Sequence, residues 1–151
     1  MCLINNPSSV QTLLEKYKEH ESLPFWKRYQ WYENALISPY YQMILDLSTN
    51  KIRSNATRKL SKRRCFIDRG IHVYQTRRLA KEVAWEDDLI IQVWGNKEDL
   101  IGASIYEAVF MKVYIDETQY HQLCRRIYEF GEEAEERRAS NADWPEWMHR
   151  S

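Results

Sequence analysis

Cys65-Phe66-Ile67-Asp68-Arg69-Gly70-Ile71-His72-Val73-Tyr74 is where the chain changes texture. Two short runs rich in β-formers flank Asp68-Arg69-Gly70, a turn signal, so the stretch predicts two strands. Leu89 to Trp94 is a third apolar run, stopped by Gly95-Asn96, and Val109 to Ile115 is a fourth. Segments of helical spacing lie between them. Residues 77–85 place Leu79, Ala80, Val83 and Ala84 on one face, and residues 96–108 do the same with Leu100, Ile101, Ile105 and Ala108. Strands interspersed with short helices predict an α+β fold with a small central sheet.

Outward from this centre the chain reads as helical. Pro7-Ser8-Ser9 opens a first amphipathic helix, with Ser8 and Gln11 as its capping box and Val10, Leu13, Leu14 and Tyr17 as its apolar face. Ser22-Leu23-Pro24 starts a second, in which Phe25, Tyr29, Tyr32 and Leu36 form a stripe widened by Trp26 and Ile37. Ser38-Pro39 restarts or kinks that helix, and Tyr40, Met43, Ile44 and Leu47 continue it. Asp116 caps a C-terminal helix with Tyr120, Leu123, Cys124, Ile127 and Tyr128 inside. The expected organisation is one compact domain over residues 1–140, with 51–64 as an exposed basic segment, and an aromatic, acidic tail over 141–151.

Charge is the most uneven property of the chain. Residues 51–81 hold eleven cations and one acid, Asp68, yet the whole is formally neutral, with 22 basic and 22 acidic residues. Glu82, Glu86, Asp87 and Asp88 follow at once. Local asymmetry of this kind favours a nucleic acid or an acidic protein surface as partner, whatever the total charge. Arg58, Lys59, Lys62, Arg63 and Arg64 are its densest part, joined by Arg69, Arg77 and Arg78. Interleaved Phe66, His72 and Tyr74 suit stacking on unpaired bases.

Residues 76–96 also resemble a helix-turn-helix in spacing. Leu79-Ala80 supplies the small residue where two helices cross, Ala84 stands at the turn, and Ile90 and Val93 fall where a second helix packs. The resemblance implies a recognition helix opened by Glu86, Asp87 and Asp88, acids that phosphates repel. A helix followed by a strand is the alternative for the same residues.

Catalytic signatures are absent from the sequence. His20, His72, His121 and His149 stand apart, the four glycines are scattered, and Cys2, Cys65 and Cys124 have no metal-ligand spacing. No cofactor or metal is expected. No apolar leader and no apolar run near 18 residues is present, so the expectation is a cytoplasmic protein with free thiols and no membrane span. The function expected first is non-enzymatic nucleic-acid binding in a regulatory role. An adaptor or inhibitor that anchors through residues 24–37 or the tail 144–148 is the alternative. A metal-independent ribonuclease built from His72, Tyr74, Arg77 and Arg78 comes third.

Overall fold

A computed structural model describes residues 3–32, 35–39, 43–56, 59–85, 88–132 and 147–150. The fold is α+β, and its sheet is large rather than small. In chain order the elements are β1 (Leu3–Ile4), α1 (Pro7–Tyr17), β2 (Ser22–Tyr32), β3 (Ala35–Ile37), β4 (Lys51–Arg53), β5 (Phe66–Ile67), β6 (Ile71–Tyr74), α2 (Arg77–Val83), β7 (Leu89–Asn96), β8 (Leu100–Ala103), β9 (Glu107–Phe110), β10 (Lys112–Tyr114), α3 (Glu117–Glu132) and β11 (Met148–Arg150). The main sheet runs β4-β10-β7-β2-β6-β9-β8, with β3 on β2 and β11 on β7; every pairing among the described strands is antiparallel.

Its spine is β2 against β7, paired from Ser22↔Asn96 to Tyr29↔Leu89. The helix predicted over 24–37 is therefore a strand and hairpin. Phe25 and Tyr29 are four apart, a spacing that serves either a helix turn or two strand repeats. The aromatic content settles it toward the pleated surface, where such rings pack across strands. The predicted continuation over 38–48 is extended as well where described, with Ile37 bridging Ile44 and Leu45 N–H donating to the Leu36 carbonyl at 2.8 Å.

The helix predicted over 96–108 is also overturned. A single 3-10 turn, Lys97–Asp99, leads into β8 and then β9. Every residue of β8 is buried, because the strand is covered on both faces and so lacks a period of two. Leu100 and Ala103 join the main core, while Ile101 joins a second cluster with Leu3, Ile67 and Val109 beneath β1 and β5.

The main core fills one face of the sheet, under α1 and α3. It contains Val10, Leu13 and Tyr17 of α1, Phe25 and Tyr29 of β2, Val93 of β7, Phe110 of β9 and Leu123 of α3. The sheet curls around it. In a flat sheet β7 and β9 would lie about 14 Å apart, yet a Cβ built on Gly95 would meet the Phe110 ring at 2.5 Å. Phe110 is edge-on to Phe25, with centroids 4.9 Å apart. Tyr17 closes the edge by donating its hydroxyl to the Gly95 carbonyl at 2.8 Å.

Caps explain the helix limits. α1 begins two residues earlier than its predicted Ser8 cap, because Asn6 Oδ1 accepts from Ser8 N–H at 2.9 Å and Pro7 occupies the first turn. Asp116 caps α3 as expected, accepting from Thr118 N–H at 3.1 Å. The chain's end returns to the sheet: Met148 pairs with Ile91 and is fully buried, and Trp147 donates its indole N–H to Gln122 at 2.8 Å.

Residues 76–96 form a helix and a strand. α2 ends at Val83, and Leu89–Asn96 is the central strand β7, so no recognition helix forms. Asp88 turns the chain between them. Its carboxylate accepts from Trp85 N–H at 2.9 Å and lies 3.3 Å from the Arg28 guanidinium, with both side chains buried. The same guanidinium donates to the Val83 carbonyl, which binds the end of α2 to β2.

Candidate functional site

The eight cations singled out by sequence fall into two groups. Lys59, Lys62, Arg63, Arg64 and Arg69 are exposed on the segment before β6; Arg58 lies outside the described residues. Arg77 and Arg78 stand past the other end of β6, at the start of α2, where Arg78 pairs with Glu82 at 3.2 Å. No ion pair involves Lys59, Lys62, Arg63, Arg64 or Arg69 among the described residues.

The backbone over residues 61–65, which carries three of these five, is tied down. Asn5 is wholly buried and donates its amide to the carbonyls of Ser61, at 2.9 Å, and Arg63, at 2.7 Å. Its Oδ1 accepts from Ala103 N–H at 2.8 Å, and its own N–H reaches the Cys65 carbonyl at 2.8 Å. One asparagine thus ties the basic loop to β8 with its amide fully used. Of the three aromatic residues interleaved with the cations, Tyr74 is buried and His72 mostly so, while Phe66 is 67% exposed beside Arg64 and Arg69.

A second site lies inside the sheet. β2 touches β6 in register only at Trp26↔Tyr74. Beyond that point β2 turns toward β3, and the strands separate. The split opens a cavity of about 380 Å³, between Lys27 and Tyr29 on one side and Gly70, Ile71 and His72 on the other. Residues 43–49 and β4 form its outer wall, which is tied down by Asn50 Nδ2 donating to the Ile115 carbonyl at 2.9 Å and by the Tyr120 hydroxyl donating to the Leu47 carbonyl. Gly70 makes the turn at φ +129°, a conformation that L side chains rarely adopt, and a Cβ there would meet Val109 at 2.5 Å.

Lys27 is the unusual residue of this cavity. It is 8% exposed and alternates with Phe25 and Tyr29 toward the main core. Among the described residues its ammonium makes no hydrogen bond and no ion pair, and its Nζ lies over the Tyr29 ring, 5.5 Å from the centroid. Burial, with the Arg28 charge second, lowers its pKa to about 8, against a weaker pull upward from Glu107. His72 is lowered to about 4 by burial and by Lys27, so its ring is neutral near pH 7. Burial also raises Glu107, and drives the Tyr29 phenol upward. The Tyr29 hydroxyl and His72 Nδ1 are buried without a partner among the described residues.

The remaining candidates are structural or scattered. Asp88 is committed to Arg28 and the Trp85 turn; Glu86 and Asp87 lie outside the described residues. Among the described residues no group of three or more His, Cys, Asp or Glu could hold a metal ion. No helix there is long and apolar enough to cross a membrane. The ribonuclease constellation divides, since His72 faces the cavity while Arg77 and Arg78 belong to α2 beyond β6. Trp26 packs on Ala80 and Ile90, and Trp147 and Met148 dock on the domain; Trp144 lies outside the described residues. Sequence reasoning missed Asn5 and Lys27. The signal for Lys27 was one lysine within the alternation Phe25-Lys27-Tyr29. No protein-family model, curated protein or solved structure matches the chain.

Proposed function

We propose that the protein binds single-stranded nucleic acid without catalysis, holding phosphates on residues 59–69 and stacking an unpaired base on Phe66. The observation that carries this reading is that five exposed cations, on a segment tied down at residues 61–65, make no ion pair among the described residues. A basic face that served only to balance the chain's own acids would be paired with them. Lys59, Lys62, Arg63, Arg64 and Arg69 are free to neutralise phosphates, and the Asn5 clamp lowers the ordering cost of doing so. Phe66 gives the loop a π-face at its end, a combination suited to unpaired strands.

The test is binding of labelled single-stranded DNA, RNA and duplex DNA at several salt concentrations. Five phosphate contacts on a single strand give a slope of about −3.5 in log affinity against log salt. Affinity then falls roughly a hundredfold from about 50 to 200 mM salt. Arg63→Glu/Arg64→Glu flattens the slope to about −2, and Phe66→Ala weakens binding about tenfold without changing it. Absence of binding even at about 50 mM salt rejects the proposal.

A further inference from the structure

We propose that the cavity between β2 and β6 binds a phosphate monoester on a hydroxylated body, with Lys27 as the anion's central contact. A free nucleoside monophosphate and the 5′ end of a nucleic acid both carry this group. The inference is independent of the basic loop, because it rests on a different part of the molecule.

An ammonium is costly inside a protein unless it is paired. Arg28, one residue along the same strand, meets that requirement through Asp88 and the Val83 carbonyl. Lys27 meets it with nothing among the described residues, yet it replaces an apolar residue on the face that builds the main core. A ligand anion is the partner that this arrangement lacks. The cavity is within the ~300–1,000 Å³ range of small-molecule sites, and far larger than a lone phosphate requires. Ile44, Leu45, Ile52 and Ile71 provide apolar walls for the rest of the ligand.

Charge selects the class. Lys27, Lys51 and Arg53 border the cavity, and Asp46 is the one carboxylate among its described lining residues. Three cations against one acid suit a dianion better than a carboxylate. Arg53 offers a fork of donors for phosphate oxygens, and the two lysines act as point charges. The hydroxylated body follows from the unpartnered neutral groups. His72 Nε2 lies 3.4 Å from the Asp68 carbonyl. With the proton on that nitrogen, Nδ1 is an acceptor that needs a donor such as a sugar hydroxyl. The Tyr29 hydroxyl can give or accept one further bond.

Calorimetric titration with each of the four ribonucleoside 5′-monophosphates, with inorganic phosphate and with the parent nucleosides tests the site. At least one monophosphate is expected to bind tenfold or more tighter than phosphate or its nucleoside. Lys27→Met is expected to weaken that binding tenfold or more while raising Tm by about 5–10 °C, so the loss is not one of folding. Tyr29→Phe, which removes one hydroxyl, is expected to weaken it severalfold. The groups facing Lys27 are Arg28 and Tyr29 on its own strand, His72 on β6, Glu107 on β9, Asp46 before β4, and Lys51 and Arg53 on it. The Lys27 ammonium loses its charge near pH 8, so affinity falls above pH 8 by up to about tenfold per unit.

A second arm separates the two sources. If nucleic-acid ends are the ligand, a 5′-phosphorylated oligonucleotide binds more tightly than its 5′-hydroxyl form, and Lys27→Met erases the difference. If free nucleotides are the ligand, the two oligonucleotides bind alike. Arg63→Glu/Arg64→Glu weakens loop binding without touching the cavity, so failure of one reading is seen apart from failure of the other. No binding of any monophosphate at millimolar concentration, or equal binding by wild type and Lys27→Met, overturns the inference.

Discussion

The loop at residues 59–69 and the split between β2 and β6 use positive charge in opposite ways. The loop displays five cations in water, where each is well solvated and carries little energetic information. The split holds one buried cation at a site that an apolar residue would fill better. Abundance of charge is thus what a sequence shows, whereas displacement of charge from solvent is what a structure shows. The first predicts a surface of low specificity, dominated by salt. The second predicts a site that sacrifices stability for a ligand.

The sharpest way to break this contrast lies on β2 itself, where Arg28 and Lys27 are adjacent buried cations. Asp88→Ala removes the Arg28 partner and leaves an uncompensated guanidinium. It is expected to cost about 3–5 kcal/mol, measured by urea unfolding. Lys27→Met should act with the opposite sign. A pKa lowered from 10.5 to about 8 corresponds to roughly 3 kcal/mol against the charged form, so the variant should gain about 2–3 kcal/mol at neutral pH. Between pH 8 and 10.5 the unfolded wild type binds more protons than the folded one. Wild-type stability therefore rises with pH across that window, and the advantage of the variant shrinks there. An unchanged or lower stability of Lys27→Met at pH 7 would remove the basis for a strained cavity.

Acid provides a smaller effect at the same place. His72, with a folded pKa of about 4 against 6.5 unfolded, is held neutral by burial and by Lys27. As pH falls from 6.5 to 4 the unfolded state takes up the proton first, so stability is lost through this window. The share from His72 is about 2 kcal/mol once its partial exposure is discounted. His72→Asn should flatten the acid limb of a stability–pH profile by that amount.

The α+β class, the strands on either side of Asp68-Arg69-Gly70, α2 and the capped α3 were all legible, because each rests on local signals of turn, cap or period. The size of the sheet was not. β2 carries Phe25 and Tyr29 at a spacing common to helix and strand, and Lys27 interrupts the alternation that would have separated them. The residue that hid the strand is the one that marks the cavity, which is where local rules are expected to fail. β8 was misread for another reason: burial on both faces erases its period. The loop cations were visible as composition, but their unpaired state was not. Nor was the backbone under them, which Asn5 ties down at Ser61 and Arg63 from the far end of the sequence, a contact that no local pattern encodes.

The smallest effect sharpens the comparison from the other side. Reversing Arg63 and Arg64 removes two solvated charges that touch no acid among the described residues. Their backbone bonds to Asn5 involve only the Arg63 carbonyl and so survive the substitution. Stability should change by no more than about 0.5 kcal/mol in the double variant, and the unfolding m-value should stay constant. Polymer binding weakens, with a flatter salt slope, over the same substitution. A destabilisation well beyond that bound would mean that the two guanidinium groups stabilise the fold itself, and the loop would then resemble Arg28 more than an open phosphate surface.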